Sequence, residues 1–127
     1  MKIIIIDTNF LMIPYKFKVD IFSEFKRICN FNYRLVIFEQ TIDELNYIMK
    51  KQSGKDKMAA KFALKLIPLK NIDIIKSEQS HVSVDSLILK NLNKETIVAT
   101  NDINLKKELL KKDTPVVILR QKKYLQL

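Results

Sequence analysis

Glycine is nearly absent. Gly54 is the only one in 127 residues, so no strand is followed by a Gly-rich loop able to wrap a phosphate in backbone N–H groups. P-loop and dinucleotide-binding readings fall away, and any phosphate chemistry must rest on side chains or metals. Cysteine and histidine are as scarce. Cys29 stands alone, which excludes an internal disulfide and a cysteine-based zinc site. His81 is also alone, in a polar stretch. It reads as a surface or loop histidine, although a lone imidazole can still serve as a local acid or base. No apolar run approaches the ~20 residues that cross a bilayer. Met1-Lys2 leads straight into a strand-like segment, unlike a signal peptide. The expectation is a cytoplasmic protein without membrane contact.

The length suits one domain, residues 1–127, with a single core. Apolar content of 47% and charged content of 29% are ordinary for a globular chain. The net charge of +9 is unevenly spread. Residues 50–70 carry seven lysines against Asp56, and residues 105–127 carry seven basic residues against Glu108 and Asp113. The remainder is slightly acidic. Such segregation suits a polyanion as partner, and it equally describes a solvated lysine-rich surface.

Short apolar runs alternate with helical patterns. Lys2–Ile6, Arg34–Phe38, Ile72–Ile75, Thr96–Ala99 and Val116–Leu119 read as strands, β-branched and apolar at consecutive positions. Continuous hydrophobicity fits a parallel sheet covered on both faces. Helical spacing marks Val19–Phe31, Thr41–Lys51 and Lys55–Ile67, and then "SVDSLILKNL" and "INLKKELLKK". In Lys55–Ile67 the inner face is expected to be Met58, Phe62 and Leu66, with Lys57, Lys61 and Lys65 forming a ridge on another. The order β-α-β-α-α-β-α-β-α-β predicts a three-layer α/β/α sandwich around a parallel sheet of about five strands.

In such a sheet each strand's C-terminal end shares an edge with the next helix's start, and ligands bind there. An acid follows each of the first four strands: Asp7, Glu44, Asp85 and Asp102. Each has a structural explanation. Asp7 and Asp102 suit N-caps, Thr41 and Glu44 suit a capping box, and Asp85 suits the positive end of a helix dipole. Together, however, four carboxylates on one rim would repel one another unless a cation sat between them. An all-oxygen set favours Mg²⁺ or Mn²⁺ over zinc. An acidic centre on a basic protein suits hydrolysis of a phosphodiester, with lysines holding the nucleic-acid backbone.

"IIIIDTNFL", "TIDEL", "VDSLIL" and "IVATNDINLKKEL" match, in order and spacing, the four acidic motifs of PIN-domain proteins, and the chain resembles that family nearly end to end. The resemblance implies a metal-dependent ribonuclease with strands one and four central in the sheet. Carried over by motif, it makes Asp7, Glu44, Asp85 and Asp102 the metal-binding acids. Asn9 and Thr100 would support the pocket. Asn104 stands where many relatives have a further acid, which bears on a second metal site. The tail "KKDTPVVILRQKKYLQL" is similar to archaeal PIN proteins related to the nuclease that processes small-subunit ribosomal RNA. PIN toxins of the VapC type usually carry an alanine-rich stretch after the third acid, where this chain has "SLILKNL". The expected partner is RNA, bound by Lys57, Lys61, Lys65, Lys122 and Lys123. Protein partners open to such a chain are a second copy of itself, an antitoxin or a ribosome-assembly factor. Against the RNA-processing reading stand a VapC-type toxin and a PIN-like RNA-binding module without cleavage activity. A phosphatase or receiver domain is disfavoured, because "DTNFL" has no second aspartate two residues after Asp7.

Overall fold

Four consecutive isoleucines need apolar cover on both sides, and the sheet supplies it. The structure is a computed structural model that describes residues 1–77 and 82–127; the expectation for His81 lies outside the described residues. Strand β1 (Lys2–Ile6) leads through helices α1 (Thr8–Leu11), α2 (Ile13–Phe17) and α3 (Ile21–Ile28) to β2 (Tyr33–Phe38). Helices α4 (Glu39–Lys51) and α5 (Gly54–Leu69) precede β3 (Asp73–Ile75), and α6 (Val84–Lys90) precedes β4 (Thr96–Ala99). The chain ends with α7 (Ile103–Lys111), β5 (Val116–Arg120) and β6 (Tyr124–Gln126). The sheet order is β3-β2-β1-β4-β5-β6, parallel except for β6.

Alternate side chains of β1 enter opposite cores. Ile4 and Ile6 pack with Phe10, Leu11, Phe25, Leu45 and the alanines of α5. Ile5 packs with Val36, Phe38 and Val98 under α6 and α7. Ile4, Ile5 and Ile6 are all but sealed from solvent, and each such burial contributes roughly 1.5–3 kcal/mol. That is enough to hold a charged residue at the strand's end against its preference for water.

The expected layering is present, with differences that have local causes. The sheet has six strands rather than about five. β6 was missed because three residues with one buried side chain, Leu125, carry little pattern. It is held from far along the sequence: Leu125 N–H donates to Glu24 Oε1 at 2.9 Å, and Arg27 Nη2 donates to the Leu125 carbonyl at 2.8 Å. Arg27 also forks onto Glu24 at 2.9 and 3.0 Å. Glu24→Ala should therefore free the last strand. We expect faster amide exchange at Leu125 and a melting temperature lower by roughly 3–5 °C, because a strand N–H and an arginine lose their shared acceptor.

In α5 the buried stripe is Ala59, Ala60, Ala63, Leu66 and Ile67. Met58 and Phe62 are instead about 40% exposed, which corrects their expected place in the core; Leu66 alone of that trio is inside. Small alanines let α5 pack closely on its neighbours, and Phe62 reaches sideways to Tyr15, ring centroids 6.0 Å apart.

The shortage of glycine shows in the backbone. Gly54 has φ +63° at the α4–α5 junction. Lys18, Asn71, Asp113, Gln121 and Lys122 must adopt left-handed conformations without the freedom glycine has, each at a cost of about 1 kcal/mol or more. Gln121 and Lys122 are consecutive and form the β5–β6 turn, which Lys123 N–H closes onto the Arg120 carbonyl at 3.0 Å.

Candidate functional site

From β1 the chain winds outward to β2 and β3; from β4 it winds the other way to β5. The C-terminal ends of β1 and β4 therefore flank the point where strand order reverses, where α/β sheets leave a crevice. Asp7 and Asp102 stand just beyond those two ends.

Asp7 is buried and N-caps α1, its Oδ1 accepting from Thr8 N–H at 2.9 Å. Its other oxygen, Oδ2, accepts from the Thr100 hydroxyl at 2.8 Å. That hydroxyl in turn accepts from Asp102 N–H at 3.0 Å, and Asp102 Oδ1 caps α7 at Leu105 N–H, 2.9 Å. One hydroxyl thus links the Asp7 carboxylate to the Asp102 backbone across the crevice. The capping explanations for both aspartates are realised, yet each cap uses only one carboxylate oxygen. The Asn101 side chain extends β4 by one rung, bonding Leu119 N–H at 2.8 Å and its carbonyl at 3.1 Å.

Glu44 was expected in the first turn of its helix. α4 instead begins at Glu39, and no side chain caps it at Phe38, so Glu44 lies in the second turn. The Thr41–Glu44 capping box does not form. Thr41 is buried within the helix, and its hydroxyl has no partner among the described residues. Glu44 still turns toward β1: its Oε1 accepts from the Thr8 hydroxyl at 2.5 Å. Sequence reading missed Thr8. The available signal was a hydroxyl directly after a strand-terminal aspartate, with another carboxylate to satisfy. Asp85 lies in the first turn of α6, where Ser83 is the cap, leaving the carboxylate half-buried and not needed for capping.

The acids act on one another. Burial, with repulsion from Asp85 and Glu44, pushes the Asp7 carboxyl up to about 6, against the pull of the Thr100 and Thr8 hydrogen bonds. Asp85 is also raised, first by burial and then by Asp102 and Glu44. No lysine or arginine figures among the groups acting on either. All four expected acids thus belong to one electrostatic cluster. Among the described residues, no three are grouped closely enough to enclose a cation directly. An open set of carboxylate oxygens still fits a hard divalent ion that keeps part of its water shell, as Mg²⁺ does with one or two carboxylates.

Asp102 also lines a groove of about 590 Å³, together with Asn9, Lys16 and Lys122. Asn9 is exposed there, as is Asn104 on α7, and neither side chain has a hydrogen bond among those found for the described residues. Of the five expected RNA-binding lysines, Lys122 borders this groove. Lys57, Lys61 and Lys65 stand exposed along α5 and Lys123 in the β5–β6 turn, outside its lining. Lys16 was not foreseen; it pairs with Asp56 at 2.7 Å.

The profile of the PIN-like domain family matches residues 4–122. The chain is 34% identical over 126 residues to ribonuclease VapC4 of Methanocaldococcus jannaschii, covering 98% of this chain and 95% of that one. It is 32% identical over 119 residues to ribonuclease VapC9 of Archaeoglobus fulgidus, 94% and 84% of the two chains. Among solved structures, it is similar to the PIN domain endonuclease Utp24, with TM-score 0.78, 23% identity, and 95% and 87% of the two chains covered. A domain of a functionally unknown protein from M. jannaschii aligns with TM-score 0.62 and 15% identity, covering 94% of this chain and 92% of that domain.

Proposed function

Since the chain belongs to the PIN-like domain family, we propose that it is an endoribonuclease whose four acids hold magnesium or manganese. The observation that carries this reading is the gathering of acids at the sheet's switch point: Asp7 is buried and repelled by Asp85 and Glu44, Asp85 by Asp102 and Glu44, with no cation among the groups acting on either. A divalent ion bound to these oxygens would activate water and stabilise charge on the scissile phosphate. The chain's own residues prepare the place. Thr8 and Thr100 fix the direction of the Asp7 carboxylate, Thr8 also fixes Glu44, and Asp85 and Asp102 close the other side. Asn9 borders the site, and Asn104, in place of a further acid, favours one tightly held ion over two. A chain with a single cysteine and this chemistry suits the cytoplasm.

RNA cleavage is tested with labelled single-stranded and structured RNA, in EDTA and in Mn²⁺, beside Asp7→Asn. Cleavage by the wild type in Mn²⁺ alone supports the reading. Cleavage that persists in EDTA or in the variant removes it.

Ribosomal RNA processing and RNA turnover remain the proposed roles. A second reading, the VapC-type toxin held by an antitoxin, gains from two relatives named VapC that match nearly the whole chain. The "SLILKNL" segment, where toxins usually carry an alanine-rich stretch, counts against it. Growth arrest on expression of the wild type but not of Asp7→Asn would favour the toxin; cleavage in vitro without arrest would favour processing.

The lysines give a further expectation. Replacing Lys57, Lys61 and Lys65 with alanine should weaken RNA binding regardless of sequence. It should flatten the log–log salt dependence by roughly one unit per lost phosphate contact at most. Anisotropy over a salt series on the Asp7→Asn background reads this directly, and an unchanged slope returns the ridge to solvated surface.

A further inference from the structure

The groove beside the acids is not explained by the acids. Its floor is apolar, formed by Phe10, Ile13 and Leu119, all less than a tenth exposed. Its rim carries Phe17, 36% exposed at the end of α2, and Lys122, whose ammonium lies 5.9 Å from the centre of the Phe17 ring. Lys122 reaches this place from a turn in which both it and Gln121 have positive φ, 56° and 54°. Such turns normally take asparagine and glycine. Here two long polar side chains occupy one, and both border the groove.

We propose that this groove seats one unpaired nucleotide of the RNA next to the scissile phosphate, its base against Phe17 and its phosphate against Lys122. The inference rests on the RNA-cleaving reading of the acids and adds a subsite for one base and one phosphate beside them. Three features identify the occupant. An aromatic ring beside a cation, over an apolar floor, is how proteins hold a base and its backbone without reading sequence. At about 590 Å³ the space has the size of a small-ligand pocket rather than of a trough for a duplex. Asp102 and Asn9 also line it, so the groove reaches the acidic cluster. A chain leaving the groove would arrive at the acids. Lys16 is already paired with Asp56, which leaves the phosphate contact to Lys122.

The test is abasic scanning. A labelled single-stranded RNA is made as a series with one base removed at each position in turn, alongside a duplex of the same sequence. Binding is measured by anisotropy on the Asp7→Asn background, with and without Phe17→Ala. The expected result is that removing one particular base weakens binding about tenfold, the scale of one lost stacking contact. Phe17→Ala should weaken the intact strand by a similar factor and be insensitive to that base. Phe17→Trp should bind at least as well as the parent, separating stacking from damage to the fold, and melting curves check all variants. Lys122→Ala should weaken the strand and lower its salt slope, with the duplex little affected. If no abasic position distinguishes Phe17→Ala from its parent, the subsite is overturned. If Phe17→Ala weakens strand and duplex equally, or neither, as for a groove that holds a peptide, it is overturned too. The RNA-cleaving reading is scored separately by the Mn²⁺ assay on the wild type, which can succeed while the subsite fails.

Discussion

Asp7→Asn should lower RNA cleavage by on the order of 10³-fold or more, yet yield a protein that melts higher than the wild type in metal-free buffer. The two effects have one origin. The wild-type carboxylate is buried and faces repulsion from Asp85 and Glu44, so its charged form is disfavoured and its pKa stands near 6. At neutral pH the fold still carries that charge, held by the Thr8 N–H and the Thr100 hydroxyl. Asparagine has the same shape. Its oxygen can keep the Thr8 N–H, while its amide meets the Thr100 oxygen, which already accepts from Asp102 N–H. One hydrogen bond is weakened, at about 1 kcal/mol, whereas a repelled buried charge of about 3 kcal/mol is removed. The balance predicts a rise of roughly 3–8 °C in melting temperature. Catalysis has no such compensation, because a neutral amide neither attracts a divalent ion nor supports a developing charge as a carboxylate does. Added Mg²⁺ should then stabilise the wild type and leave the variant nearly unmoved, by linkage. Loss of activity through unfolding would show as a fall in melting temperature instead.

The second large effect is on pH dependence. Metal-free wild type should lose up to about 3 kcal/mol of stability relative to Asp7→Asn as pH rises from about 4 to about 7. The sign follows from proton counts. The Asp7 carboxyl titrates near 3.8 when unfolded and near 6 when folded. Between those values the folded state binds the extra proton, so raising the pH takes stability away. Below about 4 the contribution is fully present, and above about 6 it is gone. Asp20 and Glu24 work in the opposite direction, held below the usual carboxylate range. Hydrogen bonds from Ser23 and Phe22 outweigh burial at Asp20, and the Arg27 hydrogen bond leads at Glu24. Their stability is lost on acidification, in both proteins, and cancels in the difference between wild type and variant. Chemical denaturation at a series of pH values in EDTA gives that difference. A flat difference would mean that Asp7 is not strained by its neighbours.

The reading from sequence went furthest where several residues repeat one instruction. Ile4–Ile6, Val36–Phe38 and Ile97–Ala99 are apolar at successive positions, and only a strand covered on both faces buries them all; the strands and the edge on which the acids fall followed. It went less far where structure depends on partners distant in sequence. β6 is held by Glu24 and Arg27 about a hundred residues earlier, and nothing in "YLQL" announces that. The inner face of α5 was misassigned because Met58 and Phe62 outweigh alanine in hydrophobicity, whereas the close approach of helices selects Ala59, Ala60 and Ala63. Helices α1 and α2 are four and five residues long, too short for a periodicity to appear. The four acids were legible as a set because each follows a strand. Thr8 and Lys16 were not, since each matters only through the carboxylate it meets, Glu44 for one and Asp56 for the other.

The most direct test of the acidic cluster is Mn²⁺ binding itself, measured by the loss of the free-ion electron paramagnetic resonance signal. The proteins are the wild type and the single variants Asp7→Asn, Glu44→Gln, Asp85→Asn and Asp102→Asn. If the four carboxylates form one metal centre, the wild type removes Mn²⁺ from solution, and each variant binds it at least tenfold more weakly while remaining folded. Undiminished binding in Asp7→Asn, or no binding by the wild type at concentrations that support RNA cleavage, would contradict a metal centre at the mouth of β1 and β4.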